Sequence, residues 1–342
     1  MSSSMKTSSQ TVGISGATGF VGAAITEVLR AAGFHIRVLV RNPDRLAVDR
    51  TGLEVCIGDL GDRAAVAQFV DGLDHIVHCA GLTHARDRAD FYRVNVDGAS
   101  ALAAAFVSAD PNAQGGERGQ RGSGHGRRFV HISSLAARQP SVSTYADSKF
   151  QSEGAVRAAF VPDGGDQGSA PAWVCLRAPA LYGPRDTATL PFFKSVKSGF
   201  APIPGGVKTR ASILHVDDFA RAVAVAISGA APGVVYEVGD QNPDGHSWQE
   251  IAEACAAGQG VGVRIVPLPK MVLSGWAFVS STAMRLAGQA PMVTPEKIDE
   301  FFYPDWAARD NLLAQATDWA PQINLAHGFK MTAQWYRGAH LL

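Results

Sequence analysis

Tyr145 and Lys149 are the residues of this sequence whose types and spacing most directly suggest chemistry. They lie four positions apart in "YADSKFQSEGAVRAAF" (145–160), so a helix there would place both on one face. A free phenol has a pKa of about 10, too high for a base at neutral pH, but an adjacent ammonium group favours the phenolate. The pair is therefore typical of a proton-transfer site, although a surface helix can carry the same two residues.

Three glycines near the start of the chain suggest a site for phosphate groups. Gly16, Gly19 and Gly22 stand at intervals of three in "SGATGFVG" (15–22). The pattern predicts a strand that ends at Ser15 and a helix that begins near Gly19. Helix N-terminal amides attract an anion, and glycines let the pyrophosphate of a dinucleotide approach the backbone. A turn that binds nothing is the alternative, and the strand-turn-helix context favours the dinucleotide.

Short β-branched runs alternate with alanine-rich helical runs around these residues. In order, they are "TVGISG", "VGAAITEVLRAAG", "HIRVLV", "LEVCIGD", "RAAVAQFVDG", "DHIVHCAG", "NVDGASALAAAFVSA", "RRFVHISS" and "YADSKFQSEGAVRAAF". Continuous apolar strands between helices predict a parallel sheet covered on both faces. We therefore predict an α/β protein with a doubly wound parallel sheet of the Rossmann type.

The predicted fold implies two domains. The dinucleotide-binding domain is expected over 11–182, with a returning segment near 212–239. Residues 183–211 and 240–342 are expected to form a smaller substrate domain, because ligands bind beyond the carboxyl ends of the strands. Residues 1–10 are polar and lack the apolar core of a signal peptide, so we predict a disordered leader.

Three further stretches have distinctive compositions. Residues 110–128 and 162–171 are rich in glycine and polar residues and are predicted to be flexible loops. The first carries four arginines without an aromatic residue that could stack on bases, so it does not indicate RNA binding. The apolar run 271–288 is interrupted by Ser, Thr and Arg285, which favours an amphipathic helix over a membrane span.

The overall composition points to a small-molecule partner in a reducing compartment. Lys plus Arg (31) equals Asp plus Glu (31), so no global field favours nucleic acid or an anionic membrane. The four widely spaced cysteines suit reduced thiols, and we expect a cytoplasmic protein. The ten histidines show no ligand spacing, so no metal is expected. A homodimer is compatible with these features.

From the glycine motif onward, the chain resembles the extended short-chain dehydrogenase/reductases. This group includes NAD-dependent epimerases and dehydratases, 3β-hydroxysteroid dehydrogenases and dihydroflavonol reductases. The motifs that carry the resemblance follow in the family's order and cover nearly the whole chain: "GDL" (58–60), "HCAG" (78–81), "VNVDG" (94–98), "ISS" (132–134), "YADSK" (145–149), "LRAPALYGP" (176–184) and "HVDD" (215–218).

The resemblance implies roles for individual residues. Ser134 would orient and polarise the substrate oxygen, with Ser133 the less favoured candidate, while Tyr145 moves the hydroxyl proton. Lys149 would bond the nicotinamide ribose, and Asn95 would hold structure or a water relay near this lysine. Asp59 would accept from the adenine amino group. The residues implied in cofactor binding are Gly16, Thr18, Gly19, Phe20, Val21, Gly22, Arg41, Asp59, Leu60, Cys79, Ala80, Gly81, Tyr145 and Lys149.

The cofactor is expected to be NADP, with NAD the alternative. NAD-specific relatives carry an acid at the end of the second strand, where "VLVRNPDR" places Arg41. A guanidinium group suits the 2′-phosphate of NADP as a bidentate donor or stacked on adenine. An ordinary exposed arginine is the alternative, and Asp44 could still bind a ribose.

The sequence leaves the substrate open. Nucleotide-sugar relatives usually have an asparagine within "LRAPALYGP", where this chain has Ala180, which favours the hydroxysteroid or flavonol type. Lys208 and Arg210 favour a phosphate-bearing substrate instead. We expect an oxidoreductase that transfers hydride between nicotinamide and a carbinol or carbonyl carbon. A nucleotide-sugar epimerase/dehydratase with retained NAD and a non-catalytic NADP-binding regulator or assembly subunit are the alternatives.

Overall fold

The computed structural model describes residues 10–109, 126–161, 172–206 and 208–342. Its strands are β1 Thr11–Ser15, β2 His35–Val40, β3 Leu53–Ile57, β4 His75–His78, β5 Arg128–Ser134, β6 Ala172–Ala178, β7 Ala180–Tyr182, β8 Phe200–Pro204, β9 Arg210–Ala211, β10 Ile213–His215, β11 Val234–Glu237, β12 Arg264–Leu268 and β13 Asp305–Trp306. Its α-helices are α1 Phe20–Ala31, α2 Arg63–Val70, α3 Arg88–Phe91, α4 Gly98–Ser108, α5 Thr144–Phe160, α6 Leu190–Lys197, α7 Val216–Ser228, α8 Trp248–Gln259, α9 Lys270–Leu286, α10 Pro295–Phe302, α11 Leu313–Ala316 and α12 Leu325–Gly338.

Seven parallel strands form the central sheet in the order β11-β6-β5-β4-β1-β2-β3. The chain fills the sheet from β1 towards β3 and then crosses back to place β4 on the other side of β1. The carboxyl ends of β1 and β4 therefore flank the point where the strand order reverses, which is where such sheets bind ligands. This arrangement confirms the predicted doubly wound α/β fold.

Both faces of the sheet are covered, as the apolar strands require. Helices α1 and α7 pack on one face, where Ile25 and Phe219 are fully buried. Helices α2, α4 and α5 cover the other face around Phe106 and Phe129. Helix α5, which carries Tyr145 and Lys149, is therefore fixed against the sheet by its apolar side.

The C-terminal elements build a separate hydrophobic core. Helices α8 and α12 pack together, and strands β8 and β12 pair in parallel. Tyr182 and Phe329 lie at the centre of this core, with their ring centroids 4.6 Å apart. Helix α9 packs on α10 at the margin of this part of the protein.

The loop prediction for 110–128 is wrong at its end, whereas 110–125 lie outside the described residues. Arg128 begins β5, and its guanidinium donates to the carbonyl oxygens of Ala226 and Ala230 near the end of α7. The Arg127 guanidinium lies 4.1 Å from the centroid of the Phe106 ring. Both arginines therefore contact helices that cover the sheet, Arg128 beside α7 and Arg127 beside α4. The second predicted loop, 162–171, and residues 1–9 of the predicted leader also lie outside the described residues.

Candidate functional site

The turn between β1 and α1 is packed too closely for side chains at two of its glycines, Gly16 and Gly22. Gly16 has a φ of +83°, and a Cβ there would lie 2.6 Å from the backbone nitrogen of Ala80. A Cβ at Gly22 would lie 2.2 Å from the Gly16 carbonyl oxygen. Gly19 is the N-cap of α1, and no side chain in the described part of the chain caps this end. The first amides of α1 are thus available to a pyrophosphate, and the exposed Thr18 precedes them.

The segment after β4 lies beside this turn and is held by Asn95. Its Oδ1 accepts from the Leu82 backbone nitrogen at 2.7 Å, while Nδ2 donates to the Leu82 carbonyl at 3.0 Å and to Ser148 Oγ at 2.9 Å. Both amide hydrogens are therefore used within the protein. Asn95 fixes Cys79–Gly81 relative to α5, and this geometry favours a positioning role over contact with reacting atoms.

Lys149 lies deep in the site, one helical turn from Tyr145. Its side chain is buried, and Nζ donates to the Ile132 carbonyl oxygen at 2.7 Å. A Cβ on Gly81 would lie 4.0 Å from this Nζ, so the segment after β4 passes directly over the lysine. This places the ammonium group between the glycine turn and Tyr145.

Ser134 and Ser133 end β5 but have different surroundings. The Ser134 hydroxyl lies close enough to Tyr145 to lower the pKa of its phenol, and its Oγ accepts from the Ala136 backbone nitrogen at 3.2 Å. Ser133 Oγ donates to Glu153 Oε1 at 2.6 Å, and Arg177 binds the same carboxylate through two nitrogens. Of these two serines, Ser134 is the one beside the Tyr145 phenol, whereas Ser133 is bound to Glu153.

Burial raises the pKa of Tyr145 to about 12, and the hydrogen bond with Ser134 offsets only part of that rise. The negative charge of Glu300 adds to it. The expectation that Lys149 and a bound oxidised nicotinamide together favour the phenolate stays a prediction for the cofactor complex. Burial also lowers the pKa of Lys149. At neutral pH Tyr145 is a phenol, which is the form that donates a proton to a carbonyl oxygen.

A cavity of about 490 Å³ opens beside Tyr145. One wall is formed by residues 83–88 after β4, and another by the start of α5. Helix α9 contributes Phe278, Ser281, Thr282 and Arg285, and the segment 291–300 completes the lining. The lining therefore combines polar and charged side chains with the apolar residues Phe91, Phe278, Pro291 and Met292.

Helix α10 contributes residues that the sequence did not single out. Glu296 Oε2 accepts from the Thr144 backbone nitrogen at 2.9 Å, and Glu300 Oε1 accepts from Ser143 Oγ at 2.6 Å. Lys297 Nζ lies 5.6 Å from the centroid of the Tyr145 ring and pairs with Glu300. The Thr294-Pro295 cap could have predicted the helix. It could not have predicted contacts between residues some 150 positions apart.

The predicted adenosine contacts lie along the sheet's other strand ends. Arg41 follows β2 and is exposed, whereas the neighbouring Asp44 pairs with Arg50 at 3.3 Å. Asp59 is exposed after β3, and its Oδ1 accepts from the Gly61 backbone nitrogen at 2.8 Å. Leu60 packs towards Gly98 at the start of α4. These positions border the same crevice as the glycine turn.

Lys208 and Arg210 do not lie where a substrate beside Tyr145 would be. Neither lines the cavity among the residues described there. Arg210 pairs with Glu250 at 2.9 Å, at the N-terminus of α8. That partner explains the position of the arginine, and the phosphate contacts expected of Lys208 and Arg210 stay a prediction.

Comparison with known proteins assigns the family. The model of the NAD dependent epimerase/dehydratase family matches residues 12–239. The chain belongs to this family. The ceramide reductase of Caulobacter vibrioides is 34% identical over 331 residues, covering 96% of this chain and 95% of that protein. The 3 beta-hydroxysteroid dehydrogenase/Delta 5-->4-isomerase of Mycobacterium tuberculosis is 26% identical over 325 residues, covering 86% of this chain and 81% of that protein.

A solved structure agrees with the fold of this epimerase/dehydratase-family chain. MoeE5, in complex with UDP-glucuronic acid and NAD, superposes with a TM-score of 0.70 at 18% identity and covers 96% of this chain and 99% of its own. The family assignment confirms the resemblance to extended short-chain dehydrogenases. The protein is an enzyme with oxidoreductase chemistry that depends on NAD(P). The close backbone packing at Gly16 and Gly22 in the turn after β1 fits the pyrophosphate of that cofactor.

Proposed function

We propose that the protein is a reductase that uses NAD(P)H to convert a ketone on an amphiphilic lipid, of the ceramide class, into a secondary alcohol. The observation that carries the proposal is the cavity that joins Tyr145 to α9, because the apolar side chains of Phe278, Pro291 and Met292 line it together with polar groups beside the tyrosine. The similarity to a ceramide reductase along nearly the whole chain supports the same substrate class.

The chain's own residues would supply binding, orientation and the proton. The bound nicotinamide supplies a hydride to the carbonyl carbon. The Tyr145 hydroxyl donates its proton to the carbonyl oxygen, so the C=O π bond is replaced by one C–H and one O–H bond. Ser134 orients that oxygen by a hydrogen bond, and Lys149 supports the resulting phenolate. The first amides of α1, Phe20 to Gly22, would hold the pyrophosphate.

The high pKa of Tyr145 supports the direction of the reaction. Reduction requires the phenol, which is the form present well below a pKa of about 12. Oxidation of an alcohol would require the phenolate instead. In the protein without cofactor, burial thus favours the form of Tyr145 that reduction uses.

A substrate panel tests this proposal. We expect stoichiometric loss of NADPH absorbance with a detergent-dispersed long-chain N-acyl amino-ketone, and none with UDP-glucose or without lipid. The reason is that Phe278, Pro291 and Met292 give the cavity apolar side chains that suit a hydrocarbon chain, and Ala180 stands where sugar-specific relatives usually have an asparagine. Firmly bound NAD⁺ together with inversion of a nucleotide sugar, without net change in free cofactor, would instead establish the epimerase/dehydratase alternative.

Arg41 is expected to select NADPH over NADH. Replacing Arg41 by alanine should remove most of that preference, at about 1.5–3 kcal/mol of binding free energy for NADPH, because a charged hydrogen bond to the 2′-phosphate is lost. The dissociation constants of both cofactors can be measured by nicotinamide fluorescence. Arg157→Ala, at an exposed position on α5, is the matched control and should leave both constants unchanged. Equal affinities for the two cofactors in the unaltered protein would contradict the assignment.

We also propose that the protein works in a reducing compartment such as the cytoplasm. All four cysteines are free thiols, and burial raises the pKa of both Cys79 and Cys255 to about 12. Such groups remain protonated and unreactive at neutral pH. A homodimer stays a prediction that sedimentation can test.

A further inference from the structure

Helix α9 presents three different faces. Ala277 and Ser281 are buried on the face that packs towards α10. Phe278, Ser281, Thr282 and Arg285 line the cavity beside Tyr145. The third face points away from the protein and is apolar, although the described residues leave it without a covering element.

The outward face forms a continuous stripe. Val272, Trp276, Val279 and Leu286 are spaced by four, three and seven residues, which places them on one side of a helix. Their exposed fractions are 57%, 57%, 68% and 86%. Met271 and Phe278 at the edge of the stripe are exposed at 87% and 64%. An exposed apolar patch this continuous marks an interaction site.

The charged residues of the segment that carries the stripe, 261–294, have one sign. Residues 261–294 contain Arg264, Lys270 and Arg285 but no Asp or Glu, in a chain whose total charge is balanced. Arg264 is exposed on β12 and Arg285 lies in the last turn of α9. Lys270 pairs with Asp299 of α10 at 2.8 Å. This segment therefore complements an anionic surface, even though the whole chain does not.

We propose that this stripe is a docking surface for an anionic phospholipid bilayer, in which α9 lies flat within the headgroup region. The inference rests on the proposed function, because it explains how a lipid substrate reaches the cavity. Among the described residues, no helix is long and apolar enough to cross a membrane, so α9 would lie in the interface. Trp276 is the residue type that membrane interfaces favour, and basic residues add attraction to anionic headgroups.

Phe278 favours a bilayer over a second protein chain as the partner. The residue belongs both to the edge of the stripe and to the lining of the cavity, so the stripe is continuous with the cavity entrance. A rigid partner packed on the stripe would stand at that entrance. A fluid lipid layer covers the same residues and also supplies the substrate, whose chains need not pass through water.

Vesicle sedimentation with the full-length protein tests the docking surface without using activity. We expect binding to vesicles of phosphatidylglycerol and phosphatidylcholine in equal parts, and much weaker binding to phosphatidylcholine alone. Raising the salt from about 0.1 M to about 0.5 M should weaken the binding, because salt screens the basic residues. The double substitution Val272→Asp and Val279→Asp should lower the partition coefficient by about tenfold or more.

Ile57→Asp is the matched control, because Ile57 is 65% exposed at the opposite edge of the sheet and should leave vesicle binding unchanged. The α9 double variant should retain the turnover of the unaltered protein with a short-chain, water-soluble ketone, which shows that it is folded. An unaltered protein that stays in the supernatant at low salt would overturn the proposal, as would equal binding by the double variant. A dimer that the double variant converts to a monomer would assign the stripe to a second copy. Failure to oxidise NADPH with the soluble ketone would refute the proposed function alone.

Discussion

Replacing Tyr145 by phenylalanine is expected to lower turnover by about 100-fold or more, while the dissociation constant of NADPH changes little. The substitution removes the proton donor and keeps the ring, whose centroid lies 6.2 Å from that of Phe91. The cofactor's pyrophosphate site at the start of α1 is untouched. Turnover is measured from NADPH absorbance and binding by calorimetry on the same preparations.

Tyr92→Phe is the matched control for this experiment. Its hydroxyl donates to Asp147 Oδ2 at 2.6 Å, so the control removes a neighbouring phenol that also contacts α5 but does not line the cavity. We expect its turnover to stay within about twofold, because no proton is transferred from Tyr92. Unchanged turnover in Tyr145→Phe would show that another group donates the proton.

Gly16→Ala is expected to weaken cofactor binding by about 2–3 kcal/mol, or roughly 30- to 150-fold. The alanine would have to adopt a φ of +83°, and its Cβ would lie 2.6 Å from the Ala80 backbone nitrogen. Both the glycine turn and the segment after β4 must then move away from the pyrophosphate position. The dissociation constant of NADPH measures the effect, and the melting temperature reports the accompanying strain.

Gly154→Ala separates this local effect from a general intolerance of alanine. Gly154 lies within α5, and a Cβ there meets no atom within 4 Å. We expect unchanged cofactor affinity and a gain in stability of about 0.5–1 kcal/mol, because alanine is the better helix former. If Gly16→Ala bound NADPH with the affinity of the unaltered protein, the pyrophosphate would have to lie elsewhere.

The parts of the fold that local patterns determine were predictable from the sequence. The glycine turn, the strand ending at Ser15 and the alternation of strands with helices depend on neighbouring residues, and the structure agrees with each. The amphipathic pattern of 271–288 likewise predicted α9. The spacing of Tyr145 and Lys149 predicted that both lie on one helix, which is α5, whereas Ser134 was assigned from the resemblance.

Features that depend on contacts between distant segments were not predictable. The pKa of Tyr145 depends on its burial by other parts of the chain, which raises it to about 12, and the spacing of Tyr145 and Lys149 does not reveal that burial. The charge on Arg210 suggested a ligand, whereas its partner Glu250 comes from a helix 40 residues later. The sequence did not predict that Lys297 lies near the Tyr145 ring. The residue spacing within α10 shows that a helix forms there, but it does not specify which surface that helix contacts.

The contacts of α10 with the beginning of α5 tie reaction rate to substrate preference. Glu296 accepts from the first backbone amide of α5, and Glu300 binds the hydroxyl of its N-cap, Ser143. The same helix forms a wall of the cavity. Exchanging the C-terminal segment with that of a relative would therefore change the contacts that hold the first turn of the helix bearing Tyr145, so we expect a chimera made to accept a new substrate to have a new catalytic rate as well.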